Sequence, residues 1–413
     1  MPVRRRSLAE YRKAAGYSQE ALAEALRVET STVGRWERGE TRPQPWTRPK
    51  LARALGVSHE ALAELLDDAA GLDTVGSVPE SIAEEVAAPL RRDFLKHGVA
   101  AVACERTNGW RSVTLVDIEA LNAMQHSLIA LDAQHGGGAV LSMAMAYLRS
   151  EVTPLLQGRY PERVGRRLFA AAAGLTLTTG FIAYDAGQHG LARQHFVHAL
   201  SLSRTADDPA LSARVVTAMS HQALYLDDRD DALVFARLAS SGATACVPVI
   251  QAICAATEAR VSAVIGDKQG CFALMDKTEQ AFSRVRAEET PAWSCFLDEA
   301  ELAGKFGRCL RDLGLHADAD QQLEMSLNLH KTSYPRSRAI TQIIHATNHV
   351  RQGNLEHACQ LGITAMPAVG RLRSQRVSEY LRDLRDHLAP YAHEPTVRAF
   401  SEQARAVLAT REV

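Results

Sequence analysis

The sequence has no cysteine pattern that would bind a metal ion or form a disulfide framework. Its seven cysteines are odd in number and scattered through 413 residues. They include no C-x-x-C pair, and no histidine is spaced to complete a zinc site with them. Reduced thiols are therefore the expected state, as in cytoplasmic proteins. We expect no metal and no cofactor.

Long apolar runs and strand patterns are also missing. No apolar run approaches the roughly 20 residues that span a bilayer. From Val113 onward, no segment alternates polar and apolar residues with period two, and the interruptions between helical patterns are short. The sequence predicts an all-α cytoplasmic protein with no membrane partner.

No catalytic motif occurs in the chain. The nucleophile elbow G-x-S-x-G, the P-loop and the zinc motif H-E-x-x-H are all absent. His189, His195 and His198 cluster, but His195 and His198 share one helix face, whose usual role is packing or solvation. We predict no catalytic residues and do not expect an enzyme.

Charge is nearly balanced overall but unevenly distributed. Residues 1–66 carry twelve basic and eight acidic side chains, a net charge of +4, which leaves −5 for the rest of the chain. This asymmetry suits a small module that meets phosphates, joined to a larger body that does not. The arm Arg4-Arg5-Arg6 before the first helix is either a phosphate contact or a solvated segment.

Residues 17–36 predict two short helices that cross steeply. Ser18 is an N-cap residue, and apolar residues at helical spacing follow it. About three residues separate the two helices, so the helices cannot lie antiparallel. The pattern predicts a helix-turn-helix, whose second helix can enter the DNA major groove. The apolar residues that define it are Leu22, Ala23 and Leu26 in the first helix, Val28 in the turn, and Val33 and Trp36 in the second helix.

The combined motif resembles the phage-repressor-like (XRE, Cro/C1-type) DNA-binding domain over the first 66 residues. Two positions depart from that pattern: Arg27 stands where glycine is usual, and Glu29 where a cap such as serine is usual. Gly34 also lies inside the second helix, at a cost of about 1 kcal/mol relative to alanine. The resemblance is carried by Ser18-Gln19-Glu20, Leu22-Ala23, Val28, Ser31-Thr32-Val33, Arg35-Trp36-Glu37-Arg38-Gly39 and residues 51–57.

The predicted DNA contacts come from the recognition helix and from basic residues after it. Side chains at the start of such a helix reach base edges, and Arg35, one turn on, can read a guanine or hold a phosphate. Gln19, by the resemblance, contacts a phosphate while supporting the recognition helix. Basic residues after the helix are phosphate candidates. The full predicted set is Gln19, Thr30, Ser31, Thr32, Arg35, Arg42 and Lys50.

A change of composition separates this module from the rest. Residues 67–88 hold six acidic side chains and no basic ones, so residues 67–90 are predicted to be an acidic linker. The following Arg91-Arg92-Asp93-Phe94-Leu95-Lys96 resembles a twin-arginine export signal. It lies behind a folded domain and its apolar run is short, so an amphipathic helix at the base of the next domain is favoured.

Residues 91–413 contain a degenerate repeat of small residues, which predicts helix pairs that pack closely. The repeat is similar to the tetratricopeptide repeat, although the closing proline and first aromatic are mostly absent. Its spacing of about 39 to 48 residues also exceeds 34. Generic helical hairpins are the alternative. The predicted turn residues are Gly187, Asp227, Gly266, Gly314 and Gly353, each preceded seven positions earlier by a small residue: Gly180, Ser220, Ala259, Gly307 and Ala346.

Ligands of such a superhelix bind its concave face, which the first helix of each repeat lines. Arginines beside aromatic residues there would suit a peptide with an acidic group or another small anion. A solvated helix face is the alternative. The predicted ligand-binding residues are Phe181, Tyr184, Asp185, His221, Tyr225, Arg260, Arg308, Arg311 and Arg351.

A repressor-like domain joined to degenerate repeats resembles actinobacterial regulators of this layout and Gram-positive regulators that sense signal peptides. The resemblance implies a sequence-specific transcriptional regulator that acts as a homodimer on double-stranded DNA. A palindromic operator is expected, because one recognition helix reads only a few base pairs. The repeats would dimerise and sense a peptide or small-molecule signal. The alternative is a protein-interaction adaptor whose repeats bind a protein partner, with DNA binding secondary.

Overall fold

The computed structural model of the chain has two compact units, Met1–Val78 and Pro79–Val413. The arm at residues 4–6, the linker at 67–90 and the segment at 91–96 lie outside the described residues. The described residues are 8–26, 28, 30–38, 43, 48–57, 61–62, 65, 112–294, 296–330 and 334–410.

The first unit is built from short helices. Residues 61, 62 and 65 are also helical. The helices are α1 (Leu8–Ala14), α2 (Gln19–Leu26), α3 (Thr30–Glu37) and α4 (Arg48–Leu55).

The predicted pair of short helices joined by a turn, α2 and α3, is confirmed. Ser18 caps α2, because its Oγ accepts a hydrogen bond of 3.0 Å from the backbone N–H of Ala21. The turn is held by the backbone N–H of Val28, which donates to the carbonyl of Ala23 at 2.9 Å. The buried core of the unit is Leu8, Leu22, Ala23, Leu26, Val33, Trp36, Leu51, Ala52, Leu55 and Leu62.

The second unit is an array of helices. In the described part of this unit, five pairs of consecutive helices pack together, and two helices follow them. The helices before the pairs are α5 (Leu115–His135), α6 (Gly137–Tyr147) and α7 (Thr153–Leu156), with a π-helical turn at Leu148–Val152 between the last two. The pairs are α8 (Glu162–Asp185) with α9 (His189–Thr205), α10 (Pro209–Tyr225) with α11 (Arg229–Gly242), α12 (Pro248–Val264) with α13 (Lys268–Phe282), α14 (Glu299–Asp312) with α15 (His316–Leu329), and α16 (Pro335–Arg351) with α17 (Leu355–Arg371); α18 (Gln375–Leu388) and α19 (Pro395–Ala409) close the order.

Each of the five predicted turn residues lies between the two helices of one pair, in left-handed backbone. Their φ angles run from 59° at Asp227 to 82° at Gly266. Glycine adopts this conformation at no steric cost, and aspartate tolerates it better than most residues. The helices then approach closely at the small position seven residues earlier: a Cβ on Gly180 would lie 2.6 Å from the Phe196 ring.

The beginning of the array touches its end. The backbone N–H of Arg373 donates to the carbonyl of His135 at 2.7 Å, and the N–H of Gly138 donates to the carbonyl of Arg373 at 2.8 Å. A Cβ on Gly136 would lie 2.6 Å from the carbonyl carbon of Arg373. Because the glycines at 136–138 have no Cβ, the segment that leads into α18 can pack directly against their backbone.

Helix α8 is long and apolar enough, by length and composition, to cross a membrane. The sequence showed no uninterrupted apolar run of that length, because threonines and glycines are distributed through this helix. In the structure, 83% of its apolar window is buried inside the array. Burial of this kind is what the central helix of a packed domain shows, and the neighbouring helices α5, α6 and α9 cover it.

Candidate nucleic-acid interface and a buried cationic cluster

Helix α3 has one exposed polar face and one buried apolar face. Thr30, Ser31 and Arg35 are exposed, whereas Val33 and Trp36 are buried in the core. Successive residues turn by about 100° around a helix, so the three exposed positions fall within roughly 140° of one another. The predicted contact residues of this helix therefore share one outward surface, with the half-buried Thr32 at its edge.

Arg35 is oriented along that surface by its own helix. Its Nη2 donates a hydrogen bond of 3.2 Å to the hydroxyl oxygen of Thr32, three residues earlier. Arg35 can still contact DNA, because its guanidinium has five N–H donors and this hydrogen bond uses only one of them.

Glu37, at the end of α3, is joined to both preceding helices. Arg12 donates from Nε to its Oε1 at 2.5 Å, and Gln19 donates from Nε2 to its Oε2 at 2.6 Å. A second guanidinium nitrogen of Arg12 donates to the carbonyl of Tyr17 at 2.6 Å. The side chains of Arg12 and Glu37 are each only 8% exposed. The predicted supporting role of Gln19 thus has a specific partner, whereas its predicted phosphate contact remains a prediction.

Gly34 has a neighbour that explains its small size. A Cβ at this position would lie 3.2 Å from Nη1 of Arg38 and 3.9 Å from Nε2 of Gln19. Glycine lets these two polar side chains pass over the helix where a methyl group would be in tight contact. Glycine at this position therefore lowers the helix propensity of α3 but leaves space beside the Gln19–Glu37 hydrogen bond.

The remaining predicted DNA contacts cannot be placed at side-chain level. Arg42 lies outside the described residues, as do the two departures from the family pattern, Arg27 and Glu29. Lys50 belongs to α4, but its side chain is likewise outside the described part of the chain. Both basic residues stay predictions.

In the second unit, His221 lies among cationic side chains inside the helical array. Its Nδ1 is buried and has no hydrogen-bond partner among the described residues. Burial lowers the pKa of His221 well below its usual range, and four nearby positive charges lower it further. These charges belong to Arg376, Lys305, Arg308 and Arg214.

Carboxylates balance this cluster only in part. Lys305 lies 3.5 Å from a carboxylate oxygen of Glu301. Nε of Arg308 and Nε of Arg376 are buried without a hydrogen-bond partner among the described residues. Arg214 lies against two aromatic rings, 4.7 Å from the centroid of Phe181 and 4.8 Å from that of Phe296, and burial lowers its pKa to about 10. Cationic groups therefore outnumber the carboxylates that could pair with them.

Tyr184 lines the same cluster. It is 1% exposed, its hydroxyl is buried without a hydrogen-bond partner among the described residues, and its ring packs edge-on to His221 with centroids 5.5 Å apart. The guanidinium carbon of Arg376 lies 4.9 Å from its ring centroid. Tyr184, His221 and Arg308 are thus three predicted ligand-binding residues that the structure brings together, and Phe181 supports them through Arg214.

Four other predicted ligand-binding residues already have hydrogen-bond or ion-pair partners within the protein: Asp185, Arg260, Arg311 and Tyr225. Asp185 accepts hydrogen bonds from the backbone N–H of Gly137 at 2.8 Å and from Oγ of Ser374 at 2.9 Å. Asp312 pairs with both Arg260 and Arg311. Tyr225 donates a hydrogen bond to Glu379. Arg351, the ninth predicted residue, is exposed on α16.

The contribution of α18 to this region was not predicted from the sequence. Arg376, Glu379 and Tyr380 stand at i, i+3 and i+4, so they share one face of that helix. Tyr380 lies beside Tyr225 with ring centroids 6.3 Å apart. The spacing of these three residues is visible in the sequence, but α18 lies outside the five repeats. Its contact with Tyr225 arises only because the end of the array packs against earlier helices.

Comparison with known families agrees with the geometry of the first unit. Residues 8–62 match the helix-turn-helix family HTH_3. This segment is an XRE-type helix-turn-helix, a DNA-binding domain of transcriptional regulators. The match covers the four helices α1 to α4. No curated protein shows significant similarity to the chain.

Proposed function

We propose that this chain is a sequence-specific transcriptional regulator and not an enzyme, and that it works in the cytoplasm. The observation that carries the proposal is the outward face of α3, where Thr30, Ser31 and Arg35 lie together beside a buried Val33–Trp36 face. Short polar side chains and an arginine at the start of a recognition helix are suited to base edges in the major groove.

The regulator acts as a homodimer on a palindromic operator. One recognition helix reads only a few base pairs, and two half-sites about one helical turn apart supply the affinity that a single domain lacks. The helical array, similar to tetratricopeptide repeats in its small-residue pattern, holds the two copies together. The left-handed turns at Gly187 and Gly266 support that similarity.

The array also senses a peptide or small molecule that carries an anionic group. Support comes from the cluster around His221, where Arg308 has a buried Nε without a hydrogen-bond partner among the described residues, and where the carboxylate nearest to Arg376, that of Asp185, is 4.0 Å away. Buried cationic groups without counter-charges are costly, and an anion that paired with them would relieve this cost. Such a ligand regulates DNA binding if it binds unequally to two arrangements of the dimer.

Selection from fragmented DNA of the protein's own source tests the proposal. The purified full chain is mixed with fragments at physiological salt, and the bound fragments are sequenced. We expect a palindromic motif with half-sites one helical turn apart, which the Arg35→Ala variant no longer enriches. Enrichment of fragments without any common motif would overturn the proposal and favour the adaptor hypothesis.

A further inference from the structure

One carboxylate and two imidazoles converge between α15 and α16. Asp320 projects from α15, and His345 and His349 project from α16. The two histidines are four residues apart, so they lie on the same face of that helix. One ligand atom from each of the three side chains lies within 4.8 Å of the others. This pair was not predicted from the sequence, because its third ligand, Asp320, is distant along the chain.

The distances agree with those between ligands of one metal ion. Oδ1 of Asp320 lies 3.2 Å from Nε2 of His345 and 3.7 Å from Nε2 of His349. Nitrogen and oxygen ligands about 2.0–2.1 Å from a tetrahedral zinc ion are about 3.3 Å from each other. The carboxylate is therefore already near ligand spacing from both imidazoles, and small side-chain rotations bring all three atoms onto one ion.

Hydrogen bonds from two side-chain amides hold the carboxylate of Asp320 in place. Asn348 donates to Oδ1 of Asp320 at 2.7 Å, and Gln352 donates to Oδ2 at 2.8 Å. Asn348 is itself fixed, since its Nδ2 also donates to the carbonyl of His316 at 2.9 Å. Partners of this kind orient the ligands of metal sites, and a carboxylate oxygen has lone pairs for both a hydrogen bond and a metal bond.

The imidazole of His345 is buried, and a bond to a metal ion would satisfy one of its ring nitrogens. Its side chain is 8% exposed; Nδ1 has no hydrogen-bond partner among the described residues, and Nε2 faces Oδ1 of Asp320 at 3.2 Å without the geometry of a hydrogen bond. A buried polar group without a partner is costly. The exposed fractions of Asp320 and His349, 24% and 12%, leave a path by which an ion reaches the site.

We propose that Asp320, His345 and His349 bind a divalent transition-metal ion, with zinc as the ion that this donor set suits best. Two imidazoles and one carboxylate are borderline and hard donors that zinc accepts in tetrahedral geometry. Three protein ligands leave the fourth position to water or to a further ligand. His357 borders the site, with its ring centroid 4.4 Å from that of His349.

The ion would join two neighbouring helix pairs of the array. Asp320 belongs to the pair α14–α15, whereas both histidines belong to the pair α16–α17. An ion that binds only the folded state stabilises it by RT ln(1 + c/Kd), where c is the concentration of free ion, so thermal stability rises with metal concentration. The proposal does not depend on DNA binding, because the site lies wholly within the second unit.

Zinc titration of the full chain tests this site. The chain, without an affinity tag and dialysed against a chelator, is titrated with zinc chloride by calorimetry. The same preparation is followed by thermal unfolding with and without the ion. The variants are His349→Ala and the nearly isosteric Asp320→Asn. The matched control is His387→Ala, which removes a histidine that also lies near an aspartate, 3.4 Å from Asp383, but has no third ligand among the described residues.

We expect the unaltered chain and the His387→Ala control to bind zinc equally and to gain thermal stability from it. Each ligand variant should weaken binding at this site by at least about 100-fold, more than loss of a second-layer partner usually costs. Cobalt bound in place of zinc should give the visible absorption of a tetrahedral ion, which the variants lack. Absence of zinc binding by the unaltered chain, or unchanged binding in a folded Asp320→Asn variant, would overturn the proposal.

Discussion

The side-chain amide of Gln19 donates a hydrogen bond of 2.6 Å to the carboxylate of Glu37, which ties the first residue of α2 to the last residue of α3. The same carboxylate receives the guanidinium of Arg12 from α1. Three helices are thus joined at the end of the recognition helix that lies away from Thr30 and Ser31. The hydrophobic core positions α3, and this hydrogen-bond network restrains the C-terminal end of the helix.

Replacing Glu37 should destabilise the first unit. Glu37→Ala leaves the nearly buried Arg12 without its counter-charge, which costs about 3–5 kcal/mol for a buried pair. Glu37→Gln should cost less, because it keeps an acceptor oxygen. Scanning calorimetry of the full chain measures both, with Glu24→Ala, an exposed carboxylate on α2, as the control. A loss below about 0.5 kcal/mol in Glu37→Ala, similar to an ordinary surface substitution, would contradict the role given to this network.

Replacing Arg35 should reduce operator affinity and specificity together. Loss of a base-reading arginine costs about 1–3 kcal/mol, so the ratio of operator to non-specific binding falls in Arg35→Ala. Lys13→Ala removes the same charge from the exposed end of α1 and should leave this ratio unchanged. Fluorescence anisotropy at fixed salt gives both affinities. Equal effects of the two variants would show that Arg35 contributes only charge.

Two glycines in one helix pair should respond oppositely to alanine. A methyl group on Gly180 would lie 2.6 Å from the Phe196 ring, whereas nothing lies within 4 Å of a methyl group on Gly190. Gly180→Ala should destabilise the array by about 1–3 kcal/mol through overpacking. Gly190→Ala should be neutral or stabilise by up to about 1 kcal/mol, since alanine favours helix. Urea unfolding measures the difference, and equal stabilities would contradict the close crossing of α8 and α9.

The array should lose stability in mild acid. Burial lowers the pKa of both His195 and His198 to about 4, and the neighbouring His198 contributes to the lowering at His195. Between pH 6.5 and 4 the unfolded chain therefore binds protons that the folded chain does not. Stability is fully present above about pH 6.5 and falls toward pH 4, by at most about 1.4 kcal/mol per pH unit for each histidine.

Urea unfolding at several pH values measures this slope. His198→Gln should make it shallower, because one proton-binding group of the unfolded chain is removed. His126→Gln, at an exposed position of α5, is the control and should keep the slope. A stability that stays constant from pH 7 to pH 5 would contradict the prediction.

Local patterns predicted the all-helical fold, the crossing of α2 and α3, and the turns of the helix pairs. Ser18, Ala23 and Gly187 reveal their roles within a few residues of sequence, because capping, close crossing and left-handed backbone are local requirements. The exposed and buried faces of α3 follow equally from its spacing of apolar residues.

Contacts between distant parts of the chain could not be predicted in this way. Arg12 and Glu37 are 25 positions apart, and Ser374 and Asp185 are 189 positions apart; no spacing rule connects such pairs. The cluster around His221 depends on α18 meeting α8 and α10, which follows only from closure of the array. The pair His345 and His349 was visible at helical spacing, but Asp320 joins it only through packing of α15 against α16.

The most direct test of the account is the affinity of the full chain for a selected operator duplex and for a scrambled duplex of equal length, both near 0.15 M salt. Specific recognition by α3 predicts a preference of at least about 1,000-fold for the operator, with two chains bound per duplex. Equal affinities for the two duplexes would contradict the central claim that this protein reads a DNA sequence.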